Sequence, residues 1–241
     1  MSSRLSGTET PWSTVYQTNG DDQKDNNAQA NLIERYGPVI HAYLLGTLKD
    51  EEAANEVFQK FSLRLMRGDF RNAYDSCGKF RSFIKTTLYR LMVDCRRNRN
   101  MRFGSGDSIG VENKLAVESG ENVDEFLMLW RQSLLDQSWA RLQQIEEETG
   151  NPVFTILKCR VDHPEFGTWQ LQEFLMATSE IIIPTLNIFR IYLHRARRKF
   201  AECLLDEVCQ SLTDVNRETV EEELIELGLH HFCVPAIANR F

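Results

Sequence analysis

The chain has 241 residues, of which 42% are hydrophobic and 26% are charged, so it can form packed cores, and disorder of the whole chain is excluded. No segment approaches the roughly 18 consecutive apolar residues of a membrane span, and the N-terminus lacks the apolar stretch of a secretory signal. The net charge of −7 argues against general affinity for nucleic acid, but positive and negative residues are segregated along the chain.

The cysteines, histidines and catalytic motifs give no indication of an enzyme. The six cysteines are scattered without a Cys-x-x-Cys pair, so reduced thiols are expected. His230 and His231 are adjacent and would point about 100° apart on a helix, which is poor geometry for a shared metal site. Phosphate-loop, nucleophile-elbow and metalloprotease motifs are missing from the sequence. We therefore expect no catalytic residues, no metal and no cofactor.

Helical periodicity dominates the first half, and no alternating strand of useful length is present. Residues 1–27 are polar and predict a flexible arm. Helices are predicted over 28–47, from 50 to about 68, and over 79–100. Asp50, followed by two glutamates, predicts an N-cap for the second of these helices, whereas Pro38 is expected to kink or break the first.

Residues 104–122, rich in Gly, Ser, Asp, Glu and Asn, predict an acidic flexible linker. The predicted fold is therefore all-α, with two small helical domains over 28–103 and 123–212. The second domain is expected to contain helices over 123–149, 152–161, 168–178 and from 184 or 185 to 212. An acidic tail, 213–241, adds a helix over 220–227, with Gly228 as its C-cap. This tail helix either completes the second core or folds back on a basic segment and inhibits DNA binding.

The basic segment 79–102 predicts a helix that binds nucleic acid. It contains eight Lys or Arg and one acid. One face carries the apolar residues and should be buried: Phe80, Ile84, Leu88, Leu91 and Cys95. A neighbouring stripe combines cations with an aromatic ring: Arg81, Lys85, Tyr89, Met92, Arg96 and Arg99. Cations neutralise phosphates and an exposed ring stacks on an unpaired base, so the stripe suits single strands. The alternative is a solvated basic face.

A second basic segment, 190–200, has five Lys or Arg and no acid. One face of this helix should be buried: Leu186, Phe189, Leu193, Ala196 and Phe200. The adjoining arc is polar and basic: Asn187, Arg190, His194, Arg197 and Arg198. A shorter helix and a turn precede it, and this order predicts a helix-turn-helix whose second helix enters the major groove. Asn and Arg are the residue types that pair with adenine and guanine edges. A helical hairpin with a basic outer face is the alternative.

Six sequence motifs are shared with one known family. The first two are Leu32-Ile33-Glu34-Arg35-Tyr36 and the segment 50–61. The more specific two are Gly78-Lys79-Phe80-Arg81-Ser82-Phe83-Ile84, continuing through Asp94-Cys95-Arg96-Arg97, and Leu193-His194-Arg195-Ala196-Arg197-Arg198-Lys199-Phe200. The last two are Leu204-Leu205-Asp206-Glu207-Val208 and the tail segment 221–229. Together they resemble the extracytoplasmic-function branch of the sigma-seventy family, in the divergent form common in planctomycete-like bacteria. The resemblance extends over most of the chain from about residue 28.

The resemblance implies a cytoplasmic, non-enzymatic subunit that binds core RNA polymerase and promoter DNA, the latter both as duplex and as melted single strand. An anti-sigma factor is a further candidate partner. The acidic linker would thread toward the polymerase active-site channel. The core polymerase would contact Glu51, Glu56, Phe58, Gln59 and Phe61. The minus-ten element would contact Arg81, Lys85, Tyr89, Arg96, Arg97 and Arg99. The minus-thirty-five element would contact Thr185, Asn187, Arg190, His194, Arg195, Arg197 and Arg198.

Two other functions are compatible with the same residues. A stand-alone helix-turn-helix regulator would bind duplex DNA as a dimer at twofold half-sites, but it would not need the first basic segment. A non-enzymatic helical adaptor would bind acidic proteins in a salt-sensitive manner without preferring any DNA sequence.

Overall fold

The computed structural model describes residues 22–70, 78–103, 123–179 and 181–241. Every regular element in these ranges is an α-helix and none is a strand, which confirms the predicted all-α class. Within the same ranges, no helix is both long and apolar enough to cross a membrane. The helices in chain order are α1 (Asp22–Leu48), α2 (Glu51–Met66), α3 (Phe80–Phe103), α4 (Val123–Thr149), α5 (Val153–Asp162), α6 (Thr168–Thr178), α7 (Leu186–Gln210), α8 (Arg217–Glu226) and α9 (His230–Arg240).

The chain divides into two compact units. Unit 1 contains the described residues up to Ser133 together with Gln210–Val215, and unit 2 contains Leu134–Cys209 and Asn216–Phe241. The division thus falls inside α4, eleven residues beyond the predicted linker, which itself lies outside the described residues. The predicted arm overlaps α1, because residues 22–27 are already helical; the rest of the arm is also outside the described ranges.

In unit 1, α1 and α3 both pack against α2. The Asp50 carboxylate accepts a hydrogen bond from the Ala53 amide at 3.0 Å, which confirms the predicted cap. Of the kink or break predicted near Gly37, the break is wrong, since α1 continues through Pro38; the kink stays a prediction. Pro38 lies on the exposed side, where water can hydrate the carbonyl that loses its backbone donor, so the helix tolerates the proline there.

The first part of α4 contributes a tryptophan to an aromatic cluster in unit 1. Trp130 is fully buried and stacks on Tyr36, with ring centroids 4.9 Å apart and planes within 5° of parallel. Phe80 and Phe126 lie beside it, at centroid distances of 6.1 and 5.9 Å. Rings of this size bury much apolar area, so this cluster is a major part of the core of unit 1.

A short returning segment also belongs to unit 1. The Phe80 amide donates to the Ser211 carbonyl at 2.9 Å, and the Thr213 amide donates to the Gly78 carbonyl at 3.2 Å. Leu212, between them, forms an isolated antiparallel bridge with Lys79 and is buried. The segment Gln210–Val215 therefore closes unit 1 by backbone pairing at the start of α3.

Unit 2 is built around α7. Its core includes apolar residues of α4, α5 and α6, and from α7 it takes Phe189, Leu193 and Ala196, as predicted from their spacing. In the tail, Val220, Leu224 and Leu227 are buried, so α8 completes a core and its apolar face is not available to cover a basic segment. Helix α9 follows Gly228, whose φ of 67° suits a glycine at a helix end; α9 was not among the predicted helices.

Candidate nucleic-acid interface

Helix α3 confirms the predicted buried face and corrects part of the predicted cationic stripe. Phe80, Ile84, Leu88, Leu91 and Cys95 are all at most 1% exposed. Met92, expected in the stripe, is also fully buried, because α3 is covered over a wider arc that includes Phe83 and Val93. Four other residues of the predicted stripe are half-buried: Arg81, Lys85, Tyr89 and Arg96.

Arg99, which was predicted to contact the minus-ten element, forms ion pairs within unit 1. Its guanidinium lies 2.5 Å from the Asp50 carboxylate and 3.1 Å from that of Glu52. The pKa of Asp50 is lowered, first by the backbone N–H of Ala53 and then by Arg99. Arg99 therefore joins α3 to the N-terminus of α2, where a negative charge is already favoured by the helix dipole.

The outer face of α3 carries a cation that is not among the predicted DNA-binding residues. Arg90 and Arg97 are both exposed, and a separation of seven residues places them on the same side of a helix. Arg90 lies outside the predicted stripe, which begins at Arg81. The spacing between Arg90 and Arg97 would have identified it.

The residues predicted to contact core polymerase differ widely in exposure. Glu51 and Gln59 are exposed, and Phe58 is half-buried. Glu56 accepts hydrogen bonds from Lys60 at 2.6 Å and from the Cys95 thiol at 3.4 Å; its pKa is lowered, chiefly by Lys60. Phe61 is fully buried and stacks near Phe70, so its inclusion in a docking surface is wrong.

The predicted minus-thirty-five residues lie just before α7 and along its first half, in unit 2. All seven of them are exposed: Thr185, Asn187, Arg190, His194, Arg195, Arg197 and Arg198. Thr185 caps the start of α7, because its hydroxyl oxygen accepts a hydrogen bond from the Ile188 amide at 3.3 Å.

The cations of α7 divide into paired and unpaired groups. Arg198 and Lys199 both reach the Glu202 carboxylate, at 3.5 and 3.1 Å. Arg190, Arg195 and Arg197 have no acidic partner among the described residues. A run of arginines without intramolecular counter-ions is poised to neutralise an external anion.

Side-chain hydrogen bonds fix the connections on both sides of α6, the helix before α7. The Gln172 amide group of α6 donates to the Ile183 carbonyl at 2.8 Å, and Ile183 is buried in the core of unit 2. The connection between α6 and α7 is thus anchored at its C-terminal end. Before α6, the Arg160 guanidinium donates to the carbonyls of Phe166 and Pro164, at 2.5 and 2.8 Å, and fixes that turn.

A cationic cavity of about 480 Å³ lies beside these unpaired side chains. Its lining includes Arg160, Gly167, Thr168, Arg190, His194 and Arg197. Gly167 and Thr168 form the N-terminus of α6, where backbone amides and the helix dipole favour an anion. Guanidinium groups add charge-assisted donors of the kind that bind phosphate oxygens. The cavity is therefore chemically suited to a phosphate group.

Comparisons with protein-family models, with curated proteins and with solved structures gave no match. In the part of the chain that the structure describes, no group of three or more His, Cys, Asp or Glu is arranged to hold a metal ion. The unpaired cations of α7 and the cationic cavity are therefore the features that carry the most functional information.

Proposed function

We propose that the chain is a promoter-specificity subunit of bacterial RNA polymerase, of the extracytoplasmic-function sigma type that its sequence resembles. The observation that carries the proposal is the exposed row of arginines on α7 without acidic partners, next to the cationic cavity. Such a surface attracts DNA phosphates and releases their counter-ions, which is the main source of protein–DNA affinity.

In this proposal α7 lies in the major groove of the minus-thirty-five element. Asn187 and Arg190 are exposed near the start of α7, where the side chains of a recognition helix reach base edges. Their amide and guanidinium groups match the hydrogen-bonding edges of adenine and guanine. Arg197 and the cationic cavity would bind the neighbouring phosphates and fix the register of the helix on the duplex.

Unit 1 would bind the melted minus-ten element and core polymerase. Tyr89 is half-buried on α3, which leaves part of its ring available to stack on an unpaired base. Arg90 and Arg97 lie on the exposed side of the same helix and would meet the phosphates. On α2, Glu51 and Gln59 are the exposed members of the proposed polymerase-binding set.

The proposal is tested by transcription in vitro with core RNA polymerase, this chain and a library of genomic fragments from its source. Discrete transcripts that share two upstream motifs are expected. The double variant Arg190→Ala and Arg197→Ala should abolish them while leaving the binding to core polymerase unchanged. Arg217→Ala is the matched control, because Arg217 is an exposed arginine of α8 that pairs with Glu221 within its own helix.

The outcomes separate the proposed subunit from the other functions. Failure to bind core polymerase would contradict the proposal. Duplex binding at twofold half-sites without polymerase would then identify a stand-alone regulator. Salt-sensitive binding of acidic proteins, with no preference among DNA sequences, would identify an adaptor.

A further inference from the structure

Unit 2 contains a second cavity, of about 580 Å³, with mainly apolar walls. We call it the apolar groove, and its apolar lining includes Trp139, Leu157, Val161, Phe200, Phe232 and Pro235. These residues come from α4, α5, α7 and α9. The ring centroids of Trp139 and Phe200 lie 4.8 Å apart. A concave, aromatic-lined cavity of this volume is typical of sites for small molecules, which span about 300–1,000 Å³.

Part of the groove wall is left in contact with solvent. Val161 is 53% exposed and Phe232 is 55% exposed. Single exposed apolar residues are ordinary on protein surfaces, but these two adjoin an aromatic concavity, and grouped exposure of this kind marks ligand-binding surfaces. An apolar ligand body that covered both side chains would remove them from water, which is favourable.

Three arginines and two histidines flank this apolar wall. Arg160, His194, Arg197, Arg198 and His231 also line the groove, and its described lining contains no Asp or Glu. Arg160 is occupied by two backbone carbonyls, and Arg198 pairs with Glu202. His194 and Arg197 have no acidic partner among the described residues. A bound molecule would therefore gain most from a negative group placed near Arg197.

We propose that the apolar groove binds a small amphipathic organic anion, with an aromatic or aliphatic body and one carboxylate or sulfonate group. The body contacts Phe232, Trp139 and Val161. The anionic group accepts hydrogen bonds from the Arg197 guanidinium, and charge-assisted bonds of this kind are stronger than neutral ones.

Binding of this anion would also weaken DNA binding, an inference that rests on the proposed function. Arg197 lines both the apolar groove and the cationic cavity. An anion held by Arg197 would compete with a DNA phosphate for the same guanidinium. Thermodynamic linkage requires that the ligand weakens DNA binding by the same factor by which DNA weakens ligand binding. The groove would thus make promoter binding responsive to a metabolite-sized acid.

The test uses the full chain and two fluorescent probes with nearly the same rings, anilinonaphthalene sulfonate and the uncharged phenylnaphthylamine. We expect saturable one-to-one binding of the sulfonate and its displacement by decanoate. Phe232→Ala should weaken both probes about fivefold or more, because it removes an apolar wall. Arg197→Gln should weaken the sulfonate by a similar factor and leave the neutral probe unchanged. Val234→Ala is the control, since Val234 is an exposed residue of α9 that does not line the groove.

Several results would overturn the proposal. They are the absence of saturable sulfonate binding, equal losses in Val234→Ala and Phe232→Ala, and tighter binding of the neutral probe than of the sulfonate. Binding of an acidic amphipathic peptide without any binding of sulfonate or decanoate would assign the groove to a polypeptide instead. Far-UV circular dichroism verifies that each variant is folded. Probe binding does not require DNA, so a failure of the proposed promoter function would leave this result intact and would remove only the competition.

Discussion

Replacing Trp130 by alanine tests whether the start of α4 belongs to the core of unit 1. Trp130 lies beyond the predicted linker, yet it is fully buried and stacks on Tyr36. A buried tryptophan hides roughly 200 Å², which at about 25 cal/mol per Å² corresponds to about 5 kcal/mol. Residual compactness of the unfolded chain reduces this value to about 3–4.5 kcal/mol, within the range measured for such truncations.

The assay is urea unfolding followed by far-UV circular dichroism. Trp130→Ala should lower the free energy of unfolding of unit 1 by about 3–4 kcal/mol. Trp169→Ala is the matched control, because Trp169 is 60% exposed and its loss should change the free energy by no more than about 0.5 kcal/mol. Trp130→Phe should lower the free energy of unfolding much less than Trp130→Ala, because it keeps an aromatic ring in the core. It also removes an indole N–H that is buried without a hydrogen-bond partner in the described structure.

Equal effects of the two alanine variants would mean that Trp130 is not part of the core of unit 1. A loss below about 1 kcal/mol for Trp130→Ala would mean that the aromatic cluster contributes little to unit 1. The start of α4 could then be detached, as a domain boundary at the predicted linker requires.

Three further predictions concern charge. The double variant Arg190→Ala and Arg197→Ala should weaken duplex binding and reduce the slope of log affinity against log salt by about 2; an unchanged slope would exclude phosphate contacts by these residues. Arg90→Gln should weaken single-strand binding in a filter assay, whereas Arg99→Gln should lower the melting temperature and leave that affinity intact; the reverse pattern would restore Arg99 to the interface. Burial raises the pKa of Cys233 from 9.0 to about 12. The contribution of the protonated thiol to the free energy of unfolding is therefore fully present below the pKa that Cys233 has in the unfolded chain. This contribution should decline as pH rises from about 9 toward 12, by at most about 1.4 kcal/mol per pH unit, and urea unfolding at pH 8 and 10 that shows no decline would contradict it.

Features encoded over short distances were predictable from the sequence. Asp50 and the two glutamates after it specified the start of α2, and the spacing of Phe189, Leu193 and Ala196 specified the buried face of α7. Both depend on contacts within one or two helical turns. The exposed cations of α7 follow from the same periodicity.

Features set by tertiary contacts were not predictable in the same way. Met92 is buried because neighbouring elements cover a wide arc of α3, a property that its own periodicity does not contain. Arg99 meets Asp50 across 49 positions of sequence, so no local pattern reveals the pair. Helix α9 was not predicted because Pro235 lies inside it and because the exposed apolar residues Phe232 and Val234 obscure its buried face. Packing against α8 stabilises the helix.

The segment Gln210–Val215 that closes unit 1 also determines when this unit can be completed during synthesis. Arg35 near the start of the described chain bonds to Gln210 across 175 positions, and such distant pairing is slow to form. The ribosome adds about 5–20 residues per second, so the stretch between Ser133 and Gln210 takes roughly 4–15 s to make at that rate. During this interval the N-terminal helices are without their closing partner, and nascent chains that stop before Gln210 would expose the site that Leu212 fills.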